Sequence, residues 1–172
     1  MENNSAHQKI PNLEVRPLED EKELEDMYYQ RWLVLRSPLG MERGTERDKH
    51  DQSAFHVVAV SNGRVIGSAR LRELSPELGS IAYVAVLPEF HHQGIGTKLI
   101  QTLIAKAREN NLKRLRVMTR LNALGFYQRL GFLATGATFD YLDIPHQFME
   151  LNLPSSLHIQ GDWQPALYSD RD

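Results

Sequence analysis

The residues best placed to do chemistry lie in one run, Tyr83-Val-Ala-Val-Leu-Pro-Glu-Phe-His-His-Gln-Gly-Ile-Gly-Thr-Lys-Leu-Ile. An apolar, strand-like stretch ends there and a proline-bearing turn follows. Gly94 and Gly96, one residue apart, then open a stretch of helical period. Glycines at such a junction let backbone N–H groups approach an anion, because no side chain intervenes and the first helical turn carries unpaired donors at the positive end of its dipole. A phosphate-bearing ligand is one reading of this pattern, and tight packing of the turn against a neighbour is the other. The residues alone leave the two about even. Two familiar phosphate loops fail on spacing. A Walker loop needs Gly-Lys-Ser/Thr, but Gly96 is followed by Thr97 and only then Lys98. The dinucleotide fingerprint needs a third small residue where this chain has Leu99.

Other polar groups carry weaker signals. His91 and His92 are adjacent, so their side chains diverge, and no third ligand follows at helical spacing; no metal site is expected. Asp48, His50 and Asp51 fall in a charged stretch and read as solvated. The chain has no cysteine, which excludes thiolate nucleophiles, thiolate metal sites and disulfides. Its 20 basic and 22 acidic residues among 172 give no electrostatic reason to expect a nucleic acid or a membrane surface as partner. The N-terminus shows no signal-peptide pattern, and the apolar runs are strand-sized, so a soluble, cytoplasmic protein is the expectation.

The elements that must position these groups follow from periodicity. Leu13-Glu-Val-Arg alternates as a strand. Asp20 and Glu23 stand at capping-box spacing before Leu24, Met27, Tyr28, Arg31, Trp32 and Leu35, which predicts a first helix. Residues 37–52 show no period and read as a loop or broken helix. Residues 55–60 and 64–71 flank Asn62-Gly63 and predict a tight hairpin. A strand over 81–86 leads through the glycine turn into a helix with Ile95, Leu99, Ile100, Leu103, Ile104 and Ala107 on one face. Residues 114–119 alternate as another strand, 122–130 form a short helix stopped by Gly131, and 132–135 and 148–153 supply the last strands. The chain is thus expected to be an α/β (α+β) protein with a mixed, mostly antiparallel central sheet flanked by helices. Residues 1–11 read as a polar leader, 12–153 as one domain, and 154–172 as a tail.

At these residues the chain resembles the GCN5-related N-acetyltransferase superfamily. The glycine portion of that signature matches Gly94-Ile95-Gly96, and the apolar triplet before it matches Val84-Ala85-Val86. A second stretch, Ala123-Leu-Gly-Phe-Tyr-Gln-Arg-Leu-Gly-Phe, looks like the family's late helix. Two departures stand out: His91 replaces the usual Arg or Gln, and Arg120 replaces an Asn often found seven residues before the tyrosine. The resemblance implies acetyl-CoA as acyl donor. Its pyrophosphate would lie on the main-chain amides of His92, Gln93, Gly94, Ile95, Gly96 and Thr97, and its arm along Val84, Ala85 and Val86. A β-strand amide there would polarise the thioester carbonyl. Tyr127 would protonate the departing thiolate. The implied partners are acetyl-CoA and a small-molecule or protein amine acceptor, with a homodimer left open.

No general base is singled out; Glu73, Glu77, His56 and Tyr83 fall near strands that border the site. Tyr28-Tyr-Gln-Arg-Trp, Leu35-Arg-Ser-Pro-Leu, Gly44-Thr-Glu-Arg-Asp and Gly161-Asp-Trp look like the acetyltransferase half of bacterial two-domain proteins that carry a hotdog thioesterase-like domain. Two other functions stay open beside the acetyltransferase. One is a coenzyme-A-binding sensor or partner without turnover, and the other an acyltransferase acting on an acyl-carrier protein.

Overall fold

The computed structural model of the protein describes residues 9–155, so the tail with Trp163 and Tyr168 lies outside the described residues. The elements in chain order are β1 (Glu14–Pro17), α1 (Glu21–Leu35), β2 (Phe55–Ser61), β3 (Arg64–Glu73), β4 (Leu78–Val86), α2 (Ile95–Glu109), β5 (Arg114–Arg120), α3 (Leu124–Arg129), β6 (Leu133–Tyr141) and β7 (Ile144–Asn152). The seven strands form one sheet in the order β1-β2-β3-β4-β5-β7-β6. Every neighbouring pair is antiparallel except β4 and β5. No helix among the described residues is long and apolar enough to cross a membrane.

Local chemistry explains the elements. Asp20 caps α1 by accepting a hydrogen bond from the Glu23 amide at 2.8 Å. The β2–β3 hairpin closes on Asn62 (φ 49°) and Gly63 (φ 76°), the two left-handed residues that a turn matched to strand twist requires. α2 buries the predicted stripe, Ile95, Leu99, Ile100, Leu103, Ile104 and Ala107, against Val57, Ala59, Leu71 and Ile81 on one face of the sheet. α1 covers part of the other face, where Met27 and Tyr28 meet Val58, Val60 and Val65.

Three boundaries differ from the sequence reading. β4 begins at Leu78 rather than Ile81, through Gly79 and Ser80. The short helix spans only Leu124–Arg129, after a 3-10 turn over Leu121–Ala123. β6 and β7 extend toward each other and meet at Leu142 and Asp143, both in the left-handed region (φ 52° and 58°). The sequence reading has these two strands as a hairpin, but Leu142 is a residue type that rarely adopts this conformation, so the position of the turn was not marked. Pro145 lies inside β7, which it can do because β5 ends opposite His146 and leaves that part of β7 with one neighbour only.

The sheet is interrupted where it matters. β4 and β5 pair only over four residues each, Leu78 to Ile81 against Arg114 to Val117. Beyond Ile81, β4 stays on β3 alone, with an irregularity that sets Ala82 opposite Arg70 and Ala85 opposite Ser68. The extra residue is a bulge centred on Tyr83, whose φ is 52°.

Candidate active site

The parting of β4 from β5 opens a cleft of about 660 Å³, lined on one wall by Ala82, Tyr83 and Val84 and on the other by Val117, Met118, Thr119 and Arg120. Tyr127, Phe126 and Ala123 close it from the α3 side, and Tyr141, His146 and Phe148 from β6 and β7. From Ala82 onward the edge of β4 that faces β5 has no strand partner, so its peptide groups are available to a ligand.

Past the end of β4 the lining reaches Pro88 and His91. The His91 Nε2 donates to the Val86 carbonyl at 2.7 Å, which ties the turn to the end of the strand. His92 (φ 60°) and Gly94 (φ 79°) then bend the chain into α2. The α2 N-terminus has no side-chain cap, and the helical ladder starts with Lys98 N–H donating to the Gly94 carbonyl at 3.1 Å. The amides of Ile95, Gly96 and Thr97 therefore have no carbonyl one turn back to bond. The two glycines meet different structural needs. Gly94 is needed for its φ, whereas a Cβ on Gly96 would stand 3.3 Å from the Phe126 ring, so Gly96 serves close packing of α2 on α3.

Tyr127 sits in the cleft wall, 5% exposed, with its ring edge-on to Phe126 (4.9 Å between centroids) and Phe132 (5.5 Å). Burial raises its pKa far above the ordinary tyrosine value, so the phenol keeps its proton and presents an O–H. Among the described residues that hydroxyl has no hydrogen-bond partner. Of the other anticipated residues, Val84 lines the cleft, Ala85 and Val86 continue the same strand, residues 92–94 lie in the turn beyond its end, and residues 95–97 begin α2.

A buried polar network holds the bulge, and sequence reasoning missed it. Gln30 of α1 donates from Nε2 to the Ala85 carbonyl at 3.0 Å and accepts from Ser68 Oγ at 2.6 Å. Fully buried Arg31 bonds Asp51 Oδ1 and the Glu46 carbonyl, each at 3.1 Å. Arg70 bonds Asp48 at 2.7 Å and the same Asp51 oxygen at 3.1 Å. The Tyr83 ring lies close to both guanidiniums, its centre 4.2 Å from that of Arg31 and 4.8 Å from that of Arg70, and its hydroxyl donates to Asp48 at 3.3 Å. The expectation that Asp51 is solvated is thus corrected: two arginines draw it inside. Burial pushes the Asp48 carboxyl up, but Arg70, the His50 amide and Tyr83 outweigh it and hold the pKa at about 2. Burial depresses the pKa of His56.

The residues named as candidate bases mostly lie elsewhere. Glu73 accepts from Asn110 at 3.0 Å, Glu77 pairs with Lys113 at 2.6 Å, and His56 is fixed to the Asp51 carbonyl at 2.8 Å; only Tyr83 lines the cleft. His146 also lines it, with Nδ1 donating to the Ile144 carbonyl at 2.7 Å, so in the neutral ring Nε2 carries the lone pair. The sequence places this histidine in an Ile144-Pro-His element that resembles relatives, but gives it no role in the site.

Comparison with known proteins agrees with this geometry. A family model described as the acetyltransferase (GNAT) family matches residues 13–132. A Bacillus subtilis (strain 168) protein named as an acetyltransferase is 23% identical over 84% of this chain and 100% of its own length. The amino-acid acetyltransferase of Pseudomonas putida (strain GB-1) is 35% identical over 60% of this chain, which spans only 22% of that longer enzyme. Among solved structures, an acyl-CoA N-acyltransferase from Pseudomonas aeruginosa superposes with a TM-score of 0.72 at 21% identity, over 80% of this chain and 98% of that one. A GNAT family acetyltransferase from Elizabethkingia anophelis with acetyl-CoA bound superposes with a TM-score of 0.62 at 20% identity, over 83% and 99%. These last two similarities concern the fold. With the family model spanning most of the domain, the chain belongs to the acetyltransferase (GNAT) family: it is an acyl-CoA-dependent N-acetyltransferase with acetyl-CoA as its cosubstrate.

Proposed function

We propose that the chain moves the acetyl group of acetyl-CoA directly onto an amine, without a covalent enzyme intermediate. The observation that carries this reading is the release of β4 from β5 after Ile81, which leaves an unpaired strand edge between an uncapped helix N-terminus and the Tyr127 hydroxyl. An anion on the amides of residues 92–97 and a slender arm along Val84, Ala85 and Val86 suit those two features. The chain contains no cysteine to carry an acyl group, which favours direct attack.

In this mechanism the acceptor nitrogen attacks the thioester carbonyl carbon, and the negative charge that develops on oxygen is met by an amide of the released β4 edge. One preorganised donor of this kind is worth about 2.7–4 kcal/mol in comparable sites. The C–S bond then breaks, the thiolate takes the proton of Tyr127, the amine proton passes to solvent, and solvent returns a proton to the Tyr127 phenolate. Burial raises the pKa of the phenol, which makes it a weaker acid but keeps it protonated, so its O–H is present to meet the charge that develops on sulfur. Holding both reactants in one cleft supplies much of the remaining rate.

The test is thiol release from acetyl-CoA with a panel of amines. Tyr127→Phe should lower kcat by about 100-fold or more, the usual worth of a positioned proton donor, with little change in acetyl-CoA affinity. Unchanged turnover in that variant would remove Tyr127 from the mechanism. Tight coenzyme A binding with no thiol release from any amine would favour a binding partner without turnover.

A further inference from the structure

We infer that the acceptor is an amine that also carries a carboxylate, with an apolar body, as in an apolar amino acid. The inference rests on the transfer reading above and deepens it by naming the acceptor class. Four arginines line the cleft, Arg36, Arg70, Arg116 and Arg120, against one carboxylate, Asp48. Arg70 is paired with Asp48 and with Asp51, which it shares with Arg31, and Arg116 is paired at 3.2 Å with Glu150, which it shares with Arg114. Arg36 and Arg120 have no carboxylate partner among the described residues.

Arg36 is the more telling of the two. It is only 8% exposed, and its guanidinium is held in place by donating from Nε to the Thr45 carbonyl at 3.1 Å and from Nη1 to the Leu35 carbonyl at 3.2 Å. It also lies 5.7 Å from the centre of the Tyr83 ring. A buried cation without a counter-ion is costly unless an anion arrives to complete it, and a fixed guanidinium with Nη2 uncommitted matches a carboxylate. Arg120 adds a second positive charge from β5, directly across the strand pair from His146. Beside the polar Ser80, His91, Thr119 and His146, much of the remaining wall is apolar or aromatic, including Val34, Leu35, Met118, Tyr141 and Phe148. Met118, Tyr141 and Phe148 remain more than a third exposed, as surfaces awaiting an apolar ligand do. A polycationic acceptor such as a polyamine meets the wrong sign of charge here.

Matched acceptors that differ only in the carboxylate test this directly: leucine against leucinamide and phenylalanine against phenylalaninamide, with spermidine as the cationic control. The free carboxylate should raise kcat/KM by about tenfold or more, the worth of one charge-assisted hydrogen-bonded pair. Arg36→Gln should shrink that ratio toward one by raising the KM of the carboxylate member. Arg36→Lys should retain part of the preference, and Arg120→Gln reads the second charge if Arg36 variants do not fold. The inference is overturned if amides or spermidine are the equal or better acceptors. It is equally overturned if Arg36→Gln raises the KM for acetyl-CoA instead, which would assign the arginine to the donor. Calorimetry of leucine and leucinamide on the coenzyme A complex separates the two claims. A preference for leucine without thiol release removes the transfer reading and keeps the anion site, whereas no preference removes this inference even where amines are acetylated.

Discussion

The two halves of β4 are built on opposite principles. From Leu78 to Ile81 the strand is zipped between β3 and β5, and Gly79 lies so deep among Leu71, Leu112 and Leu115 that a Cβ would stand 2.8 Å from two of them. From Ala82 to Val86 it has lost β5, carries a bulge, and rests on Gln30, Ser68 and the Arg31–Asp51–Arg70 cluster. Apolar packing is dense and tolerates no ligand, so a strand that must both anchor the sheet and expose its edge needs two kinds of support. A bulge backed by charged hydrogen bonds holds one geometry, because each partner accepts few alternatives.

Breaking the polar support should have the largest effect. Asp51→Ala leaves fully buried Arg31 without its carboxylate and also takes one of the two from Arg70. Removing one partner of such a buried pair costs about 3–5 kcal/mol, to be read as a lower urea midpoint. Because the same cluster flanks Tyr83, acetyl-CoA affinity should fall as well at temperatures where the variant is still folded. A variant that loses stability but binds acetyl-CoA normally would mean that the bulge stands without the cluster.

The packed half offers the counterpart. Gly79→Ala drives a methyl group into Leu112 and Leu115, and overpacking of this kind costs about 1–3 kcal/mol. Acetyl-CoA affinity and kcat should be unaltered, since the change lies on the far side of Ile81 from the cleft. If affinity falls in parallel with stability, the two halves of β4 are not independent and the distinction drawn between them fails.

This contrast also explains what could be read in the sequence. Apolar periodicity and turn chemistry are local, so the α2 stripe, the Asn62-Gly63 hairpin, the Asp20 cap and the glycine turn at Gly94 were all visible as patterns of neighbouring residues. The released half of β4 was not. Ile81-Ala-Tyr-Val-Ala-Val reads as an ordinary strand, and the bulge at Tyr83 is backed by partners far away in sequence, such as Gln30, which lies 55 residues before the Ala85 whose carbonyl it bonds. Asp51 looked solvated because a carboxylate in a charged loop usually is, and only the fold brings Arg31 and Arg70 to it. Arg36 and His146 enter the cleft from the end of α1 and from β7; each lies in a stretch that resembles relatives, Leu35-Arg-Ser-Pro-Leu and Ile144-Pro-His, but neither stretch marks it as a cleft residue. The two chemically marked segments were therefore legible, while the acceptor side was not, because it is assembled from single residues on separate elements.

Acid should distinguish the two halves most gently. The Asp48 carboxyl is held at about 2 in the folded protein, below its ordinary value of 3.8. Its charged form is thus favoured by folding, and the stability it contributes is fully present above about pH 4 and is lost as pH falls from there toward 2. Its side chain is 35% exposed, so screening reduces the contribution to roughly 1 kcal/mol. Asp48→Asn should flatten the stability profile between pH 4 and 2 relative to the parent, whereas Gly79→Ala should shift the whole profile down without changing its slope. An unchanged slope in Asp48→Asn would show that the ion pair with Arg70 forms as readily in the unfolded chain, and that the polar support of the bulge lies with Asp51 and Gln30 instead.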